Sequence, residues 1–128
     1  MKFIGTGIDI VEIARIAKTY SRYENGFAEK ILHDLELNEF KKATDQVAFL
    51  AKRFAVKEAF VKALGTGIRG EVKWRNMYVL HDDNGKPILE FTSDFATEID
   101  AHKLDVHISI SDEEHYAVAQ AIILEKEI

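Results

Sequence analysis

The sequence predicts an α+β fold, and two observations lead to this prediction. Strand-like and helical segments follow one another in a mixed order, which is typical of α+β proteins and not of a regular βαβ chain. One long helix with chemically marked ends lies in the middle of the chain. A length of 128 residues, with a single proline and 47% hydrophobic residues, fits one domain over residues 1–128 with one core.

The first third of the chain is expected to hold a strand followed by several helices. The segment Phe3 to Val11 is rich in β-forming residues and too apolar for a surface loop, which predicts a buried strand in the middle of the sheet. Glu12 to Tyr20 is expected to form a short helix, and Glu29 to Ala43 one or two more, with Asp34 as a candidate cap.

The remaining elements carry clearer local signals. The long helix begins after Asp45, which can cap it, and ends at Leu64 before Gly65, a residue type that favours the left-handed end of a helix. Asn84-Gly85 predicts a β-hairpin between strands at 77–80 and 88–91. A small helix at 95–102 and two strands at 104–111 and 116–124 complete the prediction.

Composition excludes several classes of protein. The net charge of -5 argues against a nucleic-acid partner, and no run is apolar enough for a membrane span. The first residues lack the pattern of a secretion signal, so we expect a cytoplasmic protein. The chain has no cysteine and no short histidine pair, which excludes disulfides and thiolate zinc sites. Any metal is expected to be a hard cation on oxygen ligands.

The first predicted strand presents two different faces. One face carries two glycines and a carboxylate and the other carries isoleucines, namely Gly5, Gly7 and Asp9 against Ile4, Ile8 and Ile10. We expect the isoleucine face to be packed and the glycine face to be bare, so that a ligand can approach closely beside Asp9. The alternative is a bend in which Asp9 caps the next helix.

Glu58 interrupts an apolar stripe of the long helix. The stripe follows spacings of three and four, with members Val47, Leu50, Ala51, Phe54, Glu58 and Val61. An intrahelical pair with Lys62 is one way to balance the carboxylate, but an exposed pair of this kind stabilises by only ~0.5 kcal/mol. Asp9 and Glu58 together suit Mg²⁺, which usually takes one or two protein carboxylates and binds phosphate through its other positions.

Two polar groups of residues stand beside these carboxylates. Arg53, Lys57 and Lys62 surround Glu58, and the turn Gly65-Thr66-Gly67 follows, which together favour a phosphorylated ligand. The alternative is an ordinary solvated helix face. In the segment 106–111, alternation puts His107, Ser109 and Ser111 on one face, which is also compatible with a half-solvated strand.

Three motifs in order resemble the holo-(acyl-carrier-protein) synthases. They are GIDI at 7–10 with Arg15, RFAVKEAFVKALGTG at 53–67, and HISIS at 107–111. The resemblance runs from the first predicted strand to the last. It implies a short 4′-phosphopantetheinyl transferase with a small, mostly antiparallel sheet packed on a long central helix. It also implies a homotrimer with coenzyme A between subunits, and a role in fatty acid biosynthesis.

The resemblance assigns roles residue by residue. Asp9 and Glu58 are expected to hold Mg²⁺ and, with Lys62 on the pyrophosphate, to form the catalytic group. Further contacts with coenzyme A are expected from Arg53, Lys57, Gly65, Thr66, His107 and Ser109. The acyl carrier protein is expected to dock on Arg15, Lys18 and Arg22. The chain departs from the family pattern at Glu24, Asn25 and Gly26, which are less basic, and at Asp112.

The expected reaction is attack of a carrier serine hydroxyl on the β-phosphate of coenzyme A, with departure of 3′,5′-ADP. Either Glu58 or a metal-bound water is expected to accept the serine proton. Two other functions use the same residues. One is a magnesium-dependent nucleotide hydrolase, and the other is a trimeric module that binds a nucleotide or coenzyme A without reaction.

The last strand gives a reason, independent of the resemblance, to expect an oligomer. The segment 116–124 is apolar at nearly every position, so both of its faces need cover, and a chain of this size has few helices to supply it. We therefore predict a homotrimer whose interface includes Tyr116, Val118 or Ile122 and lies near the cofactor cleft.

Overall fold

The computed structural model describes residues 1–23 and 25–127 and has the expected α+β architecture. Ten elements follow in chain order: β1 (Lys2–Glu12), α1 (Ile13–Tyr23), α2 (Asn25–Ile31), α3 (Asp34–Lys42), α4 (Gln46–Leu64), β2 (Met77–His81), β3 (Pro87–Phe91), α5 (Ser93–Ala101), β4 (Leu104–Asp112) and β5 (Tyr116–Glu125). A single 3₁₀ turn at Trp74–Asn76 leads into β2. In the described part of the chain, no helix is long and apolar enough to cross a bilayer.

The main sheet has the order β1-β5-β4 with antiparallel pairing throughout, and β2 and β3 form a separate antiparallel hairpin. The expectation that the first strand lies in the middle of the sheet is wrong, because β5 is central and β1 is an edge strand. The run of β-forming residues in β1 indicates a strand, but it does not indicate how many neighbours that strand has. The continuous apolar character of β5 fits a central strand.

Helix α4 packs across one face of this sheet, with its closest approach to β1 and β5. A Cβ atom added to Gly7 would lie 2.0 Å from the carbonyl oxygen of Ala59, and one added to Gly5 would lie 2.3 Å from that of Ala63. The glycine face of β1 is therefore the packed face. Ile8 and Ile10 on the other face are 63% and 66% exposed. The sequence-based expectation of a packed isoleucine face and a bare glycine face is therefore wrong.

The predicted ends of α4 are confirmed. The Asp45 carboxylate accepts a hydrogen bond of 3.0 Å from the backbone N–H of Ala48. Gly65 adopts the left-handed conformation at φ 81°, and its N–H donates to the carbonyl of Val61. The hairpin is also present, and Asp82 accepts hydrogen bonds from the N–H groups of its turn.

The early helices differ from their predicted boundaries. Helix α2 begins at Asn25, before the predicted start at Glu29, and α3 is capped by His33 and not by Asp34. The ring nitrogen Nδ1 of His33 accepts from the N–H of Leu35, and the Glu36 carboxylate accepts from the N–H of His33. This reciprocal arrangement is a capping box.

Candidate active site

A cleft of about 490 Å³ opens between the end of β1, the start of α1 and the middle of α4. Its lining includes three acidic residues, two basic residues and an aromatic ring, namely Asp9, Glu12, Glu58, Arg15, Lys62 and Phe54. The structure thus brings Asp9, Glu58 and Lys62 together, although the sequence separates Asp9 from Glu58 by most of the N-terminal half.

The backbone of β1 determines the position of Asp9. Because successive side chains alternate, Asp9 points to the same side of β1 as Gly5 and Gly7, which is the side that faces α4. The two glycines allow the strand to lie directly against the helix backbone. The Asp9 side chain is consequently held at the helix surface and is only 14% exposed.

Lys62 links the helix to the strand. Its Nζ donates to Asp9 Oδ1 at 3.0 Å and to the carbonyl oxygen of Ile8 at 3.1 Å. The intrahelical pair between Lys62 and Glu58, considered as one alternative above, is absent among the described ion pairs. Lys62 keeps about half of its side-chain surface exposed, so the ammonium remains accessible from the cleft.

Glu58 is a partly buried acidic residue of the cleft. Burial raises the pKa of its carboxyl group, the negative charge of Asp9 raises it further, and Lys62 partly opposes both effects. Within the described residues, Glu58 has no hydrogen-bonded or ion-paired partner for its carboxylate. A divalent cation in this cleft would stabilise the charged form of Glu58.

The pair of carboxylates fits a hard cation such as Mg²⁺. Asp9 and Glu58 both line the cleft, and Glu58 lacks an ion-pair partner among the described residues. The described chain contains no group of three or more His, Cys, Asp or Glu side chains that could hold a metal ion. Mg²⁺ commonly binds one or two protein carboxylates together with water and phosphate oxygens, so two ligands are sufficient.

Lys57 and Arg53 do not reach this cleft. Lys57 is fully buried, and its Nζ donates to Glu36 Oε1 at 2.6 Å, to the carbonyl of Ile31 at 2.6 Å and to that of Trp74 at 3.0 Å. These bonds use all three ammonium protons. The expected contact between Lys57 and the cofactor is therefore corrected to a structural role, because no part of the ammonium is accessible.

Arg53 is also buried, and it lies on the Glu36 side of α4. Its guanidinium donates to Glu39 at 3.3 Å and stands 4.3 Å from the ring centre of Phe49, while its Nε approaches Glu36 at 3.5 Å. Burial lowers the pKa of the guanidinium, and the two carboxylates oppose that effect. The residue borders a different cleft, so within one chain it does not join Asp9 and Glu58.

Glu36 is the important residue that the sequence analysis missed. Its carboxylate is fully buried and accepts hydrogen bonds from Lys57, from the N–H of Val79 and from the N–H of His33. One sequence signal was available, since Glu36 follows His33 by the spacing of a capping box. That spacing predicts a helix start, but it does not predict burial.

The other expected cofactor residues occupy two separate places. Gly65 and Thr66 lie at the C-terminal end of α4, within one turn of Lys62. His107 and Ser109 are exposed on β4, on the face of the sheet opposite α4, and His107 Nε2 lies 3.1 Å from Asp105. A single chain therefore separates His107 and Ser109 from Asp9 by the thickness of the sheet.

The residues expected to bind a carrier protein lie along α1. Arg15, Lys18 and Arg22 border one shallow groove, and Arg15 also lines the cleft with Glu58. Among the departures from the family pattern, Glu24 lies outside the described residues. Asn25 and Gly26 begin α2, and Asp112 ends β4.

Comparison with known proteins agrees with this arrangement. The family model of the 4′-phosphopantetheinyl transferase superfamily matches residues 5–121. The holo-[acyl-carrier-protein] synthases of Hamiltonella defensa and Dechloromonas aromatica are 48% and 47% identical, over 96% and 93% of this chain and 98% and 95% of their own.

Solved structures give the same result. The crystal structure of holo-[acyl-carrier-protein] synthase from Neisseria meningitidis has a TM-score of 0.90 at 42% identity, covering 97% of this chain and 99% of that one. The synthase from Bacillus anthracis, solved in complex with CoA (3′,5′-ADP), has a TM-score of 0.83 at 38% identity over 98% of this chain and 100% of its own.

Proposed function

The chain belongs to the 4′-phosphopantetheinyl transferase superfamily, and from this we propose that it is a holo-(acyl-carrier-protein) synthase. It transfers the 4′-phosphopantetheine group of coenzyme A to a serine hydroxyl of an apo acyl carrier protein. The serine oxygen forms a bond to the β-phosphorus, the bond from that phosphorus to the bridging oxygen breaks, and 3′,5′-ADP leaves. The modified carrier then serves fatty acid biosynthesis in the cytoplasm, where we expect both substrates.

The observation that carries this proposal is the joining of Asp9, Glu58 and Lys62 in one cleft. The reaction requires charge neutralisation around a pyrophosphate and needs no nucleophile from the enzyme. A cleft with two carboxylates for a divalent cation and one accessible ammonium for phosphate oxygens meets this requirement.

Mg²⁺ held by Asp9 and Glu58 would supply positive charge to the pyrophosphate of coenzyme A. Lys62 adds a second positive charge from the same side of α4. Glu58 is also a candidate acceptor for the serine proton, because its carboxylate lines the cleft and has no hydrogen-bonded partner within the described residues. The hydroxyl would be held within hydrogen-bonding reach of that carboxylate.

The carrier protein is proposed to dock on α1. Arg15, Lys18 and Arg22 supply positive charge along one groove, and Arg15 lies at the rim of the cleft that holds Glu58. A carrier with an acidic helix would be attracted to this surface, and its serine would be delivered toward the carboxylates.

We propose that the active form is a homotrimer. The outer face of the main sheet is not covered by any helix in the described chain, and it carries Ile8 and Ile10 on β1 beside Val118 and Ile122 on β5. Exposed apolar side chains grouped on one face of a sheet are typical of a protein interface. His107 and Ser109 lie on that same face. In the proposed trimer, the His107 and Ser109 of one subunit would therefore reach the Asp9 cleft of its neighbour.

The decisive experiment mixes the protein with Mg²⁺, coenzyme A and an apo carrier protein and weighs the carrier by mass spectrometry. We expect the mass of one phosphopantetheine to be added, with release of 3′,5′-ADP. Release of nucleotide without modification of the carrier would indicate a hydrolase. Binding of coenzyme A without either product would indicate a binding module.

Glu58→Gln tests the role of the metal ligand. The amide keeps the shape of the side chain but loses the charge, so we expect transfer to fall below a few per cent of the wild-type rate while the fold is kept. Circular dichroism checks the fold. Transfer at a rate near the wild type would refute the role of Glu58.

A further inference from the structure

We propose that the buried pair Glu36–Lys57 is a positioning device for Glu58, which is the next residue along α4. This inference rests on the proposed function, because it concerns the catalytic role of Glu58, but the contacts that support it lie outside the cleft. Lys57 and Glu36 are both fully buried in the described structure, and neither contacts the cleft.

Lys57 connects α4 to three other segments at one point. Its ammonium donates to Ile31 at the end of α2, to Glu36 in α3 and to Trp74 in the 3₁₀ turn. Glu36 in turn accepts from the N–H of Val79 in β2. These bonds fix both the rotation of α4 about its axis and its position along that axis at residue 57. Because the helix backbone is rigid over one residue, they also fix the position of Glu58.

A second connection reaches the cleft through aromatic rings. The Trp74 carbonyl accepts from Lys57, and the Trp74 ring lies 5.5 Å from the ring of Phe54 between centres. Phe54 lines the cleft together with Glu58. The same anchor therefore holds the Glu58 carboxylate and the Phe54 ring that lies one turn before it on α4.

Stability alone does not explain why these two positions are charged. Replacing a buried ion pair by apolar residues of similar volume is often neutral or stabilising, because the pair must lose its hydration. What an apolar pair cannot supply is a set of directed bonds to three backbone segments. Small displacements of a catalytic group reduce rates strongly, so a site that depends on Glu58 benefits from this fixation.

The test uses the double variant E36Q/K57M, which removes both charges of the pair and leaves Arg53 paired with Glu39. We measure binding of Mn²⁺ by electron paramagnetic resonance, kcat and KM for the carrier, and thermal unfolding. The control is I99A, a truncation in the core of α5 that does not line the cleft. It should lower stability and leave Mn²⁺ binding unchanged.

We expect E36Q/K57M to bind Mn²⁺ at least 10-fold more weakly than I99A and to lose at least 10-fold in kcat, with little change in KM for the carrier. A double variant that matches I99A in Mn²⁺ affinity and kcat overturns the inference. If the double variant does not fold, K57M alone is judged by the same two criteria, because Glu36 then keeps Arg53 and the N–H groups of His33 and Val79 as partners. Failure of the proposed function is recognised separately, because the wild type would then bind Mn²⁺ without modifying a carrier.

Discussion

Gly7→Ala tests whether the contact of β1 with α4 controls the active site. The added Cβ would lie 2.0 Å from the carbonyl oxygen of Ala59 and 2.7 Å from the backbone nitrogen of Ala63, whereas ordinary contact begins at 3.4 Å. Both atoms belong to helix backbone and cannot rotate away, so the strand must retreat by about 1.4 Å, the difference between 3.4 and 2.0 Å. Overpacking of this kind destabilises by about 1–3 kcal/mol.

The loss of activity should exceed the loss of stability. Asp9 lies two residues beyond Gly7 on the same side of the strand, and a misplacement of about 1 Å can reduce a rate about 100-fold. Urea denaturation gives the stability, and carrier modification below the melting range gives the rate. Gly26→Ala is the matched control, because its Cβ meets nothing within 4 Å and it lies in a helix. A G7A variant as stable and as active as the control would refute this reasoning.

Three further predictions concern charge, assembly and pH. Arg15→Glu should weaken carrier binding about 10-fold or more and added salt should weaken the wild type, while coenzyme A binding changes little; equal weakening of both ligands would contradict a docking role. Ile122→Lys should lower both trimer content and transfer activity, and light scattering that finds an active monomer would overturn the proposed assembly. In metal-free protein, the raised pKa of Glu58 means that its contribution to stability is fully present below the ordinary value of 4.5 and is lost as the pH rises through the raised value. The stability of E58Q relative to the wild type should therefore increase as the pH rises through that range. It should decrease when Mg²⁺ is added. A stability difference between the two proteins that does not change with pH would contradict the pKa shift.

Elements with local signals at their ends were predictable from the sequence. The cap at Asp45 and the left-handed Gly65 delimit α4 without reference to any other segment. The hairpin is similar, since its turn residues are adjacent in sequence. By contrast, the edge position of β1 depends on β5, more than 100 residues away, and no pattern within β1 encodes that pairing.

The two faces of β1 show a different limit. Alternation established that Gly7 and Ile8 point to opposite sides, but not which side is covered. Hydrophobicity alone favoured burial of the isoleucines. The deciding fact lies in α4, where Ala59 and Ala63 bring helix backbone to the surface and only a strand without side chains can lie against it. The exposed isoleucines then require another explanation, which the proposed trimer interface supplies.

The spacing of the basic residues around Glu58 separates their roles. Phe54, Glu58 and Lys62 follow one another at intervals of four, so they lie along one side of α4, and all three line the cleft. Lys57 precedes Glu58 by one residue, which turns it by about 100° around the axis and toward Glu36. A sequence-based search for positive charge near Glu58 groups Lys57 with Lys62, because both are close along the chain. Helical geometry places Lys62 on the ligand side of α4 and Lys57 in the interior. A conservative exchange at either position should therefore lower activity, but for different reasons. At residue 62 the contact with phosphate would be lost, and at residue 57 the helix would be displaced.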